Sequence, residues 1–237
     1  MNDKEIERFM RGVYDNAYKK LEDTKSHANV NKDEILKLIG YALILFDMKK
    51  NYKKAERFIA VPVVDMLNEE RDEFIEALET GLYETLDEMC DFYGYKISDN
   101  KKKEIVDKAF KGLTYKERNK NNSTFFKNRL IKLISEICRG KVETNQVKDK
   151  VEKEFKTHLF KEMRLYISEV TRVASLAFLI ENYNKKVQYN SVLERNTCAD
   201  CRDLDGQIFY AREALDILPM HSNCKCYWTS VNIDEGI

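Results

Sequence analysis

Residues 147–177 read Val147-Lys-Asp-Lys-Val151-Glu-Lys-Glu-Phe155-Lys-Thr-His158-Leu159-Phe-Lys-Glu-Met163-Arg-Leu-Tyr-Ile167-Ser-Glu-Val170-Thr-Arg-Val-Ala174-Ser-Leu-Ala177. The apolar residues at 147, 151, 155, 159, 163, 167, 170, 174 and 177 recur every three or four positions, the period of one helix face. No Gly or Pro interrupts residues 141–184. An unbroken helix over 145–182 would be about 57 Å long at 1.5 Å per residue. That length makes it a spine on which other helices, or a partner chain, pack.

Upstream, the same period returns. Ile6, Phe9, Met10, Val13, Tyr14, Ala17, Tyr18 and Leu21 form one stripe over residues 3–23. Asn31 with Glu34 three residues on has the spacing of a capping box. It predicts a second helix through Ile35, Leu38, Ile39, Ala42, Leu43 and Phe46. Pro62 suits the first turn of a third helix, which carries Leu67, Phe74, Leu78, Leu82, Leu86, Met89 and Tyr93 and stops at Gly94. The stretch Asn119-Lys-Asn-Asn-Ser123 reads as an internal loop.

The composition agrees with a helical chain. Charged residues make up 35% of the 237, with only 8 Gly and 2 Pro, which disfavours a turn-rich all-β fold. Acids and bases balance at 41 each, so net charge implies no polyanionic partner. The run Ile35–Met48 spans 14 residues and contains Lys37; a membrane span needs about 20 apolar residues, so it reads as a core helix. No membrane partner is expected. The start, Met1-Asn-Asp-Lys-Glu, lacks the apolar segment of a signal peptide.

Charge is nonetheless segregated. Residues 65–91 hold eleven acids and one Arg, and residues 101–132 hold eleven bases and three acids. A basic face for DNA beside an acidic face for a protein is one reading. Two solvated helical faces that partly neutralise each other is the preferred one, since no aromatics interleave with the bases as base stacking requires. The adjacent Phe125 and Phe126 suit packing better.

At Val187 the period changes to two. Val187-Gln-Tyr189-Asn-Ser191-Val-Leu193 alternates as a strand does, Asp205-Gly206 signals a turn, and Ile208-Phe-Tyr210 reads as the returning strand. This small unit holds four of the chain's six cysteines and one of its three histidines. Cys198 and Cys201 form one pair, His221 and Cys224 a second at the same spacing, and Cys226 is a fifth candidate for four places. Two such pairs about twenty residues apart suit a tetrahedral zinc ion. A redox pair or a disulfide is the weaker reading, because no βαβ context surrounds the Cys-x-x-Cys.

With more candidate ligands than positions, a closed structural site is expected, one zinc per chain. Zinc-finger peptides draw about 10–16 kcal/mol from their ion. Nuclease chemistry on such a site needs a free His as base. His27 and His158 both lie in predicted helices, and His158, beside Leu159 on the spine, reads as packed. Zinc deaminases need His-x-Glu and Pro-Cys-x-x-Cys arms, and neither is here. Cys90 and Cys138 read as small buried apolar residues. Asp205 reads as a turn residue, and Tyr227 and Trp228 as a cap on the unit's small core.

The fold expected is therefore mainly α. It comprises an elongated helical body over 1–140, one long spine helix over 141–185, and a small zinc-stabilised β unit over 186–237.

Three runs carry a resemblance: Gln188-Tyr189-Asn-Ser-Val-Leu193; Arg195-Asn-Thr197-Cys198-Ala-Asp-Cys201-Arg-Asp-Leu204-Asp205-Gly206-Gln-Ile-Phe209; and Pro219-Met-His221-Ser-Asn223-Cys224-Lys-Cys226. Together they resemble the phage head morphogenesis family, the Mu F-like minor head proteins. That family's pattern is a Cys-x-x-Cys, a Leu-Asp-Gly turn and a Pro-Pro-x-His-x-x-Cys-Arg-Cys close. Leu218 replaces the first proline and Lys225 the Arg, which leaves the ligand set intact. Ser168-Glu169-Val-Thr-Arg172 is loosely similar to the family's Arg-Thr-Glu-rich helix.

The resemblance implies a non-enzymatic minor component of a tailed-phage head, present in few copies inside the head near the portal, and in the host cytoplasm during assembly. The implied partners are the portal protein and other capsid components, with packaged DNA and a second copy of the chain as further candidates. The implied roles are head assembly and DNA packaging or ejection. Some relatives carry a toxin domain after the signature; none is expected in the eleven residues after Cys226. The alternative reading is a zinc-dependent DNA-binding or nuclease module.

Overall fold

The structure is a computed structural model and describes residues 3–192 and 197–231, with the side chains of Asp3 and of residues 25–30 not described. The side chain of His27, the expected strand end at Leu193, and Arg195 and Asn196 lie outside the described residues. In order, the elements are α1 (Asp3–Leu45), α2 (Met48–Tyr93), α3 (Asp99–Asp107), α4 (Tyr115–Cys138), α5 (Val147–Glu181), β1 (Lys186–Asn190), α6 (Ala199–Leu204), β2 (Ile208–Tyr210) and β3 (Tyr227–Ser230). The chain is mainly helical with a small C-terminal sheet, as the periodicity predicts.

The expected spine is α5. It is one unbroken helix of 35 residues, about 52 Å long at the standard rise. Two other helices are longer, α1 at 43 residues and α2 at 46. The break expected before Asn31 does not occur. No Gly or Pro lies between Gly12 and Gly40, so nothing stops the helix. Asn31 spends its amide on Glu70 Oε2 at 2.9 Å instead of capping.

Pro62 sits inside α2, not at its start. It lacks the N–H that would reach the Phe58 carbonyl, but Phe58 is itself exposed, where water can serve that group. The real start of α2 is marked by Asp47, whose carboxylate accepts from Lys49 N at 3.1 Å. The only non-helical backbone inside α2 is at Asn51. The loop expected at 119–123 is also helical, inside α4. Asn119 is fully buried, and its amide donates to Glu162 Oε2 at 2.6 Å, a partner that the local sequence does not reveal.

Gly94 stops its helix as expected, and Gly140 stops another. Gly94 and Gly140 both have positive φ, and Tyr95 N reaches back to Cys90 O while Lys141 N reaches Glu136 O, each at 2.9 Å. These six-to-one bonds close the ends of α2 and α4.

The chain divides into two compact units. One takes the described residues of 21–77 and 116–162. Its core is Ile35, Ile39 and Ala42 of α1, Ile59 and Val63 of α2, Leu130, Ile134 and Cys138 of α4, and Val151 and Phe155 of α5. Phe126 joins this core, but Phe125 is 54% exposed, flanked by Lys161 at 4.7 Å and Arg129 at 5.9 Å from its ring. Packing was expected of both rings; only one is buried.

The other unit takes the described residues of 1–20, 78–115 and 163–237. Here the Phe9 and Phe92 rings stack at 3.8 Å, and Tyr93 meets Phe178 at 5.2 Å, which ties α1, α2 and α5 together. α2 passes α5 at Gly81. A Cβ built there would lie 2.1 Å from the hydroxyl of Tyr166, so only glycine fits. The end of α3 is held by Arg172 of α5, which donates to Ile105 O at 2.9 Å and Val106 O at 3.0 Å. Its Nε pairs with Glu169 Oε2 at 2.7 Å, both side chains being essentially inaccessible. The sheet has the order β2-β1-β3, antiparallel throughout, with Val187 opposite Phe209 and Tyr189 opposite Trp228.

Two tests follow from these buried polar groups. Removing one partner of a buried ion pair strands the other charge at a cost of roughly 3–5 kcal/mol. Arg172→Met should therefore lower stability by that order in urea unfolding, and adding Glu169→Leu should recover part of the loss. The second test concerns Glu162 and His158, whose Oε1 and Nδ1 lie 3.8 Å apart. Burial pushes the Glu162 carboxyl up to about 8, against a hydrogen bond from Asn122. Burial, helped by Lys161, pulls the His158 imidazole down to about 4. At neutral pH both are uncharged, so they are not an ion pair.

The pH dependence has two arms. The folded protein holds the Glu162 proton more tightly than the unfolded chain, so this stability is full below 4.5 and lost as pH rises from there through about 8. The folded protein holds the His158 proton less tightly, so that stability is lost as pH falls from 6.5 through about 4. Thermal melts of Glu162→Gln across this range should lose the alkaline decline and keep the acid one.

Candidate metal centre

The cysteine unit is assembled on β1. Its burial alternates, with Val187 and Tyr189 inward. After β1 the chain returns through α6, and Cys198 caps that short helix, its sulfur accepting from Cys201 N at 3.3 Å. Asp205 accepts from Ser191 N at 2.7 Å, and Gly206, with φ of +78°, donates to Tyr189 O at 2.9 Å. Asp205 is thus the turn residue it reads as in the sequence. This turn aims Cys201 inward, where it is 1% exposed. The hydroxyl of Tyr189 donates to its sulfur at 3.3 Å.

The second arm comes from residues 221–226. Asn223 adopts φ of +66°, a left-handed conformation that Asn tolerates better than most residues. That conformation turns the chain so that His221, Cys224 and Cys226 approach Cys201. His221 Nε2 lies 3.3 Å from Cys201 Sγ, with Nδ1 3.0 Å from Ser222 O. The five sequence candidates fall into two overlapping triads, Cys198–Cys201–His221 and Cys201–Cys224–Cys226. Within each, the ligand atoms lie within 4.8 Å of one another, and Cys201 belongs to both. Cys224 and Cys226 are buried, Cys198 is half-buried and His221 is exposed.

A strip of α5 holds this arm in place. Arg164, Ser168, Thr171 and Ser175 lie at the i, i+4, i+7, i+11 positions of one face. Asn223 N donates to Ser168 Oγ at 2.8 Å and to Arg164 O at 3.2 Å. The Thr171 hydroxyl donates to the Cys224 carbonyl. Tyr14 of α1 lies 3.2 Å from the Thr171 hydroxyl and donates to Cys226 O at 3.4 Å. Tyr18 donates to Asn223 Oδ1 at 3.1 Å. Ser175 accepts from the indole of Trp228 at 2.8 Å.

These positioning residues escape a search for metal ligands. Their signal is small hydroxyl side chains at helical spacing on the apolar face of a long helix, where a purely packing helix would carry only hydrocarbon. β3, which follows Cys226 directly, also escapes the period-two search, because Trp228 and Thr229 are both buried. Trp228 does cap the unit's core as expected, packing edge-on to Tyr189 at 5.3 Å and Phe209 at 5.7 Å. Of the remaining cysteines, Cys90 and Cys138 are buried helix residues. Burial pushes the thiol of Cys138 up to about 11.

The site's electrostatics suit a cation. The Cys201 thiol is raised far above its ordinary value by hydrogen bonding with Cys224 and by burial. Cys224 is favoured as thiolate by its bond with Cys201, but Cys226 and burial outweigh this and carry it to about 11. A tetrahedral zinc at 2.3 Å from each sulfur separates sulfurs by roughly 3.8 Å. The spacing within each triad fits that requirement, and the donor set is the soft sulfur and imidazole set that zinc takes.

Residues 131–229 match the family described as Phage Mu protein F like protein. Among curated proteins and solved structures, none matches the chain. The matched stretch begins within α4, contains all of α5 with its hydroxyl strip and both cysteine arms, and ends in β3. Over that stretch, the chain is similar to the Phage Mu protein F like family.

Proposed function

We propose that this chain is a non-enzymatic minor head protein of a tailed phage, acting in head morphogenesis. The match over 131–229 carries this reading. On it, the protein docks with the portal protein and other capsid components inside the head near the portal, assists assembly, and takes part in DNA packaging or ejection. Among the described residues no helix is long and apolar enough to cross a membrane.

We further propose one structural zinc per chain. Cys198, Cys201, His221, Cys224 and Cys226 are its candidate ligands, with Cys201 at the centre of either choice of four. Bound metal would convert the crowded thiols to thiolates and release their protons. The site is read as structural because four protein ligands close a tetrahedral shell and leave no place for water. The alternative nuclease reading needs an exposed base. His158 cannot serve, since it is buried with its ring stacked on Phe126 at 4.2 Å.

Two measurements test the zinc reading. Elemental analysis of protein purified without chelator should give about one zinc per chain, and Cys201→Ser should lose it. Trp228 is the chain's only tryptophan, so its emission should shift to the red when a chelator strips the metal; metal-free protein with unchanged emission would overturn the proposal. For the head reading, co-expression with the portal protein of the same phage should yield a complex, and mass spectrometry of purified heads should find a few copies. Absence from both would move the DNA-binding alternative forward, to be tried by gel shift at physiological salt.

A further inference from the structure

The first half of α2 carries an arrangement that neither the metal site nor the family match uses. Lys53, Arg57, Val61, Asp65 and Glu69 follow one another at intervals of four, a single ridge of the helix, and all five are exposed. Val61 is 54% and its neighbour Phe58 39% exposed. Along this ridge the charge is sorted, two bases, an apolar centre, then two acids. None of the four charged side chains makes an ion pair or side-chain hydrogen bond among the described residues.

Like charges four apart on a helix repel. An exposed helix stabilised on its own would mix the signs. Sorting them instead leaves each half of the ridge unfavourable within the chain and complementary to the other half in reverse. Rotating a second copy by a two-fold axis through Val61 places Arg57 opposite Asp65 and Lys53 opposite Glu69, twice over. It also sets Phe58 against Val64, with Val61 at the axis. Ridges of this i±4 kind are the ones that interdigitate in the commonest helix crossing. A two-fold contact requires such a self-complementary patch.

We propose that this ridge is a homodimer interface, formed by antiparallel crossing of α2 from two copies of the chain at Val61. The occupant is a second copy because the charge order matches its own reverse. A nucleic acid would use only the basic half, and the acidic half would repel it. The inference does not depend on the metal or on the head reading.

The test uses the full chain, as wild type, three variants and one mixture, in analytical ultracentrifugation. The wild type should sediment as a dimer of twice 28.0 kDa, weakening with salt. An all-acidic ridge (Lys53→Glu with Arg57→Glu) and an all-basic ridge (Asp65→Lys with Glu69→Lys) should each be monomeric, with unchanged circular dichroism. Mixed one to one, the two variants should restore a dimer, since every contact is then of opposite sign. Val61→Asp should be monomeric alone and in any mixture. A wild type that stays monomeric at its highest soluble concentration would overturn the proposal. So would variants that dimerise as the wild type does, or a mixture that fails to pair.

Discussion

A buried loop must satisfy backbone N–H and C=O groups that have no strand or helix to pair with. In this protein, the loop from His221 to Cys226 meets that requirement on one face of α5. Ser168, Thr171 and the carbonyl of Arg164 receive or supply the hydrogen bonds of Asn223 and Cys224. Tyr14 adds a bond from α1 to Cys226. An unmet buried backbone group would cost about 1–3 kcal/mol, so the helix and the loop stabilise each other's placement. The rest of the C-terminal unit follows, since β3 continues from Cys226 and its Trp228 is fixed by Ser175 of the same face.

Much of this was legible in the residues. The apolar period over 147–177 marks α5 to within a few positions, because a long helix packed along one side has little freedom in which residues it buries. Gly94, Gly140 and Gly206 mark turns because each needs a positive φ. The alternation after Val187 marks β1, which has one face against Trp228. What was not legible depends on partners distant in the chain. Asn31 and Asn119 look like punctuation locally, yet each gives its amide to a glutamate brought close only by the fold. Pro62 looks like a helix start, yet an exposed turn tolerates it inside one. The metal candidates stand out by residue type and spacing. The hydroxyls that place them do not, because a serine on an apolar stripe is ordinary until its acceptor is known.

The two long N-terminal helices show the same rule in charge. Acids and bases balance over the whole chain, but they are ordered along α2, and the ordering is visible only once 48–93 is known to be one element. Read as separate short helices, the bases near Lys53 and the acids near Glu69 belong to different pieces. Read as one ridge, they form a pattern with a centre.

Gly81 has a consequence for how this protein can change over generations. Alanine favours a helix over glycine by about 1 kcal/mol, so drift toward a better helix former would ordinarily be rewarded here. The Tyr166 hydroxyl occupies the space a methyl would need, and the tyrosine is itself buried. The two positions are therefore locked as a pair: a smaller residue at 166 has to arise first, and only then does 81 become free to vary. Lineages of this protein should carry the two residues as a linked choice, with α2 and α5 recording each other's history at that crossing.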